Sequence, residues 1–259
     1  MPDVQGSQDH RQVAIDRVGV KDIRYPIALN CPQTGGKQHT VAMVNMYVAL
    51  PHHQKGTHMS RFLEVLNKHH QGIDTNDVMQ VAREMKDRLE AEEAHLQMSF
   101  PYFIDKKAPV SGQPGKLDIE VTFEAVAGAK DDFILGIKVP ATSLCPCSKE
   151  ISAYGAHNQR CEMEAQVRFH PGKPMWIEEV FTLVEQCAST QVFAVLKRPD
   201  EKHVTEAAFD NPKFVEDIVR DLSMAMEQEP RIAWYRVASE NFESIHNHNA
   251  YAVLERDKR

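Results

Sequence analysis

Nowhere in this chain of 259 residues do about 20 apolar residues run together, the length that a bilayer-spanning helix needs. The opening stretch, MPDVQGSQDHRQV, lacks the apolar core of a signal peptide. Cysteine is scarce and odd in number: five residues do not make a disulfide framework in a chain of this size. Positive charge is in deficit, with 30 Lys and Arg against 37 Asp and Glu, a net charge of −7. Non-specific nucleic-acid binding needs a basic surface to displace counterions, so that class is disfavoured. These absences point to a cytoplasmic protein with reduced thiols, and with neither nucleic acid nor membrane among its partners. A small anionic ligand stays open, because it needs only a local basic cluster.

What is present is ordinary for a soluble globular protein: 42% hydrophobic and 26% charged residues. The length suits one large domain or two small ones sharing a core. Residues 1–20 are polar and read as a loose arm. Two β-like segments follow, at 23–30 and 40–51, then two amphipathic helices at 58–69 and 74–93. Strands at 95–104 and 116–127 close the first half; in the latter Leu117, Ile119, Val121 and Phe123 alternate with polar residues. The second half repeats the order. Strands at 133–140 and 161–170 precede helices at 176–188 and 211–227, and strands at 231–243 and 246–256 end the chain. The fold class is α+β, with two tandem β-β-α-α-β-β modules over 21–128 and 129–259 forming one continuous domain. Two helices per module cover one sheet face only, which predicts barrel closure by oligomerisation; a plain two-layer α+β domain is the simpler alternative.

Candidate chemistry centres on SLCPCSKEISAYGAHNQR, residues 143–160. An extended CPC would point Cys145 and Cys147 to the same side, able to share a metal or to divide ligation from reaction. His157 can fold back onto them. The spacing is not a standard structural-zinc pattern, and a pair of buried thiols with a surface histidine explains it equally well. Cys31, Cys161 and Cys187 read as core. In HNHNAY, His246 and His248 would share one face of a strand. Glu201 lies in the charged RPDE turn, and Glu216 lies off the apolar stripe of its helix; both suit an exposed surface as well as a site. Lys149 and Arg160 bracket the CPC segment, and a second basic cluster, HHQKGTHMSRF, starts the first helix.

KGTHMSRF, SLCPCSKEIS, YGAHNQR, DNPKFVEDIVRDL and IHNHNAY, taken in order, resemble the prokaryotic type IB GTP cyclohydrolase family over nearly the whole chain beyond the N-terminal arm. The resemblance implies the tunnelling fold, with two modules per chain, and a homotetramer with active sites at subunit interfaces. It implies conversion of GTP to 7,8-dihydroneopterin triphosphate and formate, the entry to folate, with a divalent metal ion (zinc, manganese or iron). By the same resemblance Cys145, Glu201 and His246 are metal ligands, with Asp200 the adjacent alternative to Glu201. Cys147 and His157 are catalytic, Glu216 anchors guanine, and Lys149 and Arg160 contact substrate. Other readings stay open: a different tunnelling-fold purine or pterin enzyme, such as a deazaguanine nitrile reductase, or a metal- or nucleotide-binding module without turnover.

Overall fold

The computed structural model describes residues 4–32, 35–75 and 77–259; residues 1–3 of the polar arm and Asn76 of the second expected helix lie outside them. The chain divides into two compact units that interleave in sequence. One comprises residues up to Pro101 with Thr122–Leu135, the other Tyr102–Val121 with Gly136–Arg259.

The first unit begins with β1 (Ile15–Cys31) and β2 (Gly36–Leu50), a long antiparallel hairpin in register from Cys31↔Gly36 to Ile15↔Leu50, with shifts after Ile15 and Val20. Gly19 is required in it, because a Cβ there would meet the Met46 carbonyl oxygen at 2.0 Å. Ala42, Val44, Met46, Val48 and Leu50 are buried, the alternation expected of a half-buried strand. Helix α1 (Met59–His69) packs on β1 and on α2 (Val78–Arg88), and the short β3 (Gln71–Ile73) lies parallel to β1. The start of β4 (Ala94–Lys107) pairs antiparallel with β2. The polar N-terminal segment is tied down. Asp9 N–H donates to the His53 carbonyl (2.8 Å), Lys55 N–H to Ser7 (3.1 Å) and Gly56 N–H to Gln5 (3.0 Å). Its lack of apolar residues concealed this, since backbone bonds need no side-chain pattern.

The second unit takes the end of β4 and the start of β5 (Pro114–Ala127), then β6 (Asp132–Leu144) from Gly136, α3 (Pro146–Ile151) and β7 (Asn158–Phe169). After these come α4 (Ile177–Glu185), β8 (Thr190–Gln191), α5 (Arg198–Asp210), α6 (Val215–Gln228), β9 (Ile232–Asn241) and β10 (Ala250–Asp257). The strands run in the order β10-β9-β7-β6, with β8 paired on β6. Cys161, Met163, Ala165 and Val167 of β7 are buried, as are Val180, Phe181 and Val184 of α4 and Ile218, Val219 and Leu222 of α6. Full burial of an aliphatic or Phe side chain contributes about 1.5–3 kcal/mol, so this layer holds α6 firmly against β9 and β10.

The charged stretch expected as a turn is the first half of a third helix, α5. Its signals are terminal rather than amphipathic: Pro199 stands in its first turn, and Asp200 accepts from the Lys197 N–H at 2.8 Å.

Candidate active site

The end of β6 is pinned from two directions. Leu144 N–H donates to Ser189 Oγ at 3.1 Å, and its carbonyl accepts from Lys213 N–H at 3.0 Å. Cys145 then leaves the strand as the N-cap of α3, with φ −71° and ψ 119°, and Pro146 opens the helix. The CPC segment is therefore a strand-to-helix corner and not an extended run. Residues two apart at a helix start do not face each other, so the thiols diverge: Cys145 is half-buried and Cys147 exposed. A shared same-side pair is not what the fold builds.

His157 is brought back to this corner by backbone bonds. Cys145 N–H donates to the His157 carbonyl (3.1 Å), and His157 N–H donates to Ser148 Oγ (3.1 Å), whose hydroxyl donates to the Cys145 carbonyl (3.1 Å). The His157 imidazole lies 2.9 Å through Nδ1 from Gln159 Oε1 and 4.0 Å from Glu243 Oε2. Gln159 in turn donates to Ser143 Oγ at 2.9 Å. Gln159, Ser143 and Glu243 were not among the sequence candidates. Gln159 was findable, since a residue two along an extended segment shares a face with His157. Glu243, just past the end of β9, carries no such signal.

The remaining candidates sit on other segments of this unit. Glu201 is exposed in the first turn of α5 and Glu216 in the first turn of α6. His246 and His248 lie in the loop before β10 and not on a strand, yet their rings stack at 5.0 Å. Lys149 is engaged, donating to the Phe209 carbonyl at 2.5 Å with its ammonium 4.2 Å from the Phe209 ring centre. Arg160 is exposed and borders a hollow of about 840 Å³ with Tyr154, Asn158 and Thr205. That volume lies within the range of small-molecule sites.

Asp200 is fully buried and already saturated. It accepts from Val110 N–H and Ser111 N–H (both 2.8 Å), Ser111 Oγ (2.6 Å) and Lys197 N–H. Burial pushes its carboxyl up, but the Ser111 hydroxyl and the three N–H groups outweigh that and hold it well below the usual carboxylate range. Of the two adjacent acids, only Glu201 has free lone pairs for a ligand. The sign of the linkage follows. A depressed carboxyl stabilises the fold above its unfolded value, about 3.9, and that contribution is lost as pH falls through the lower folded value. Asp200→Asn is expected to lower the urea midpoint at pH 7, with the gap to wild type closing in strong acid. A pH-independent gap would show that the charge is not what matters.

Cys161 and Cys187 behave as core thiols, pushed up by burial to about 12 and about 11, and Cys31 is buried too. The donor chemistry of Cys145, Glu201 and His246 suits a divalent cation, a mixed S, O and N set that leaves room for water. Among the described residues, however, no three His, Cys, Asp or Glu side chains of one chain come together closely enough to hold a metal ion.

A family model described as type I GTP cyclohydrolase FolE2 matches residues 1–252. The chain is 56% identical over 260 residues to a protein named GTP cyclohydrolase FolE2 from Magnetococcus marinus, covering 100% of this chain and 97% of that one. It is 52% identical over 259 residues to the protein of the same name from Geobacter sulfurreducens, covering 100% and 99%. Among solved structures it resembles a uricase from Bacillus fastidious, with a TM-score of 0.55 at 10% identity over 96% of this chain and 95% of that one. It also resembles the Arthrobacter globiformis uricase, with a TM-score of 0.51 at 9% identity over 99% and 96%. At such low identity the likeness carries the fold alone, the tunnelling fold that the family resemblance implies.

Proposed function

The chain belongs to the type I GTP cyclohydrolase FolE2 family, and from that membership we propose that it opens the guanine ring of GTP. With net addition of one water, the products are 7,8-dihydroneopterin triphosphate and formate, the entry to folate. The observation that supports this most directly is the corner where Cys145 N–H bonds the His157 carbonyl, in a chain whose residues 1–252 match the family.

Cys145, Glu201 and His246 would hold a divalent cation, zinc, manganese or iron. When bound, it supplies Lewis-acid activation of the water that attacks guanine C8. Glu216 accepts from guanine N1–H and the 2-amino group, a donor pair that adenine lacks, and so sets base choice. Arg160 and Lys149 bring positive charge for the triphosphate in an otherwise acidic chain. His157 moves a proton during ring opening, a role typically worth about 10²–10⁴-fold, and Cys147, which is exposed, would meet the substrate. Among the described residues no three such side chains of one chain gather closely enough to hold the ion, which favours a site completed by a second chain, as in the homotetramer with interface sites that the family resemblance implies. Tyr251 and Val253 on the outermost strand, β10, are exposed and suit such an interface.

The test is to incubate the protein with GTP and a divalent metal and to follow formate and, after oxidation, a fluorescent pterin. Metal-dependent formate release from GTP, and not from ATP, is expected. GTP binding without product would leave a binding module, and NADPH-dependent nitrile reduction would make it a reductase instead.

A further inference from the structure

We propose that Gln159 is a positioning residue that fixes the tautomer of His157, with Ser143 holding the amide in place. The inference rests on the reading of His157 as a proton-transfer group. Gln159 is 7% exposed and Ser143 0%, so neither can exchange its partner for water. The Ser143 hydroxyl accepts from Gln159 Nε2 at 2.9 Å, and the other end of the amide, Oε1, meets His157 Nδ1 at 2.9 Å.

A glutamine amide can present oxygen or nitrogen to a ring, and the neighbouring carboxylate decides which. Glu243 Oε2 lies 4.0 Å from the same Nδ1, beyond hydrogen-bond reach but close enough to act on it electrostatically. With an amide N–H aimed at Nδ1, the Nδ1 lone pair would face the carboxylate and repel it. With the amide oxygen there, Nδ1 carries the proton, and both acceptors attract it. In that tautomer Nε2 keeps its lone pair, free to take a proton or a ligand. This is the relation in which a buried acceptor behind a histidine determines which nitrogen works. The His157 backbone is separately clipped to Cys145 and Ser148, so Gln159 controls the ring and not the placement of the loop.

The experiment reads the tautomer and the kinetics together in the full-length chain. Histidine ring nitrogens are labelled with ¹⁵N, and the His157 signal is identified by its loss in His157→Ala. Wild type is expected to show Nδ1–H. Gln159→Met, which fills the same space without an acceptor, is expected to shift the ring toward Nε2–H. It should also lower kcat about 10–100-fold while KM for GTP stays within about two-fold. Gln159→Glu, which retains the acceptor, should recover most of the turnover. An Nε2–H ring in wild type, an unchanged tautomer in Gln159→Met, or an unchanged kcat despite a changed tautomer would each overturn the proposal. Full activity in His157→Ala would instead remove His157 from catalysis, while the ¹⁵N signals would still decide whether Gln159 sets the ring.

Discussion

Cys145→Ala is expected to purify without its divalent metal and to lose turnover by more than about 10³-fold, while remaining folded. The magnitude follows from the loss of a Lewis acid worth several kcal/mol, since about 4 kcal/mol corresponds to three decades in rate. Cys147→Ala is expected to behave differently: metal retained, KM for GTP little changed, kcat lowered by about 10²–10⁴-fold. The contrast arises from the corner itself. The N-cap position leaves Cys145 half-buried beside the His157 backbone, while Cys147 lies two residues into the helix and exposed. Neither thiol belongs to the core, so Cys147→Ala should keep a urea midpoint close to wild type, and Cys145→Ala one close to that of metal-free wild type. Metal analysis alongside formate release checks both. Full metal occupancy in Cys145→Ala would remove that residue from the ligand set, and near-normal turnover in Cys147→Ala would remove the other from the mechanism.

That the two cysteines differ could not be read from CPC alone. The sequence pattern located the segment and its proline. Whether the chain continues extended or turns into a helix depends on Ser148 and His157 bonding across the α3 loop, contacts with no local periodicity. The long strands were legible wherever alternation was strict, as in β5, because burial on one face imposes period two. Helices α1, α2, α4 and α6 were legible for the analogous reason. Helix α5 was not: only Asp200 and Ala208 of it are buried, so it has almost no apolar stripe to read. His246 and His248 came together as expected, but by ring stacking in a loop and not by strand geometry. The candidate site was thus legible only as a proposed set of chemically apt residues. Its assembly depends on contacts between segments far apart in sequence, and in the proposed tetramer on a second chain.

Lys106→Met is expected to cost about 3–5 kcal/mol of stability, the penalty for leaving one member of a buried ion pair alone. For a chain of this size that is a fall in melting temperature of roughly 6–20 °C. The Lys106 ammonium pairs with the Glu185 carboxylate, and the two side chains are only 8% and 11% exposed. It also donates to Gln191 Oε1 and to the Val192 carbonyl (both 3.1 Å), and sits 4.2 Å from the Phe193 ring centre. Burial pushes the Glu185 carboxyl up and Lys106 pulls it back down, so the variant retains the upward push alone. A carboxyl raised in the folded state stabilises below its unfolded value and loses that contribution as pH rises through the folded one. The deficit of Lys106→Met should therefore be larger at pH 8 than at pH 5. Lys106→Met with Glu185→Leu, which removes both charges, should recover most of the loss; failure to recover would mean that the hydrogen bonds to Gln191 and Val192 matter more than the charge. The pair bears on the site because β8, which it anchors at Gln191, lies against Ala141 and Thr142 of β6, just before Cys145. Below the melting transition the folded variant should still turn over GTP, whereas near it activity should fall together with the loss of native signal. Activity lost well before unfolding would show instead that β8 moves independently and takes the Cys145 corner with it.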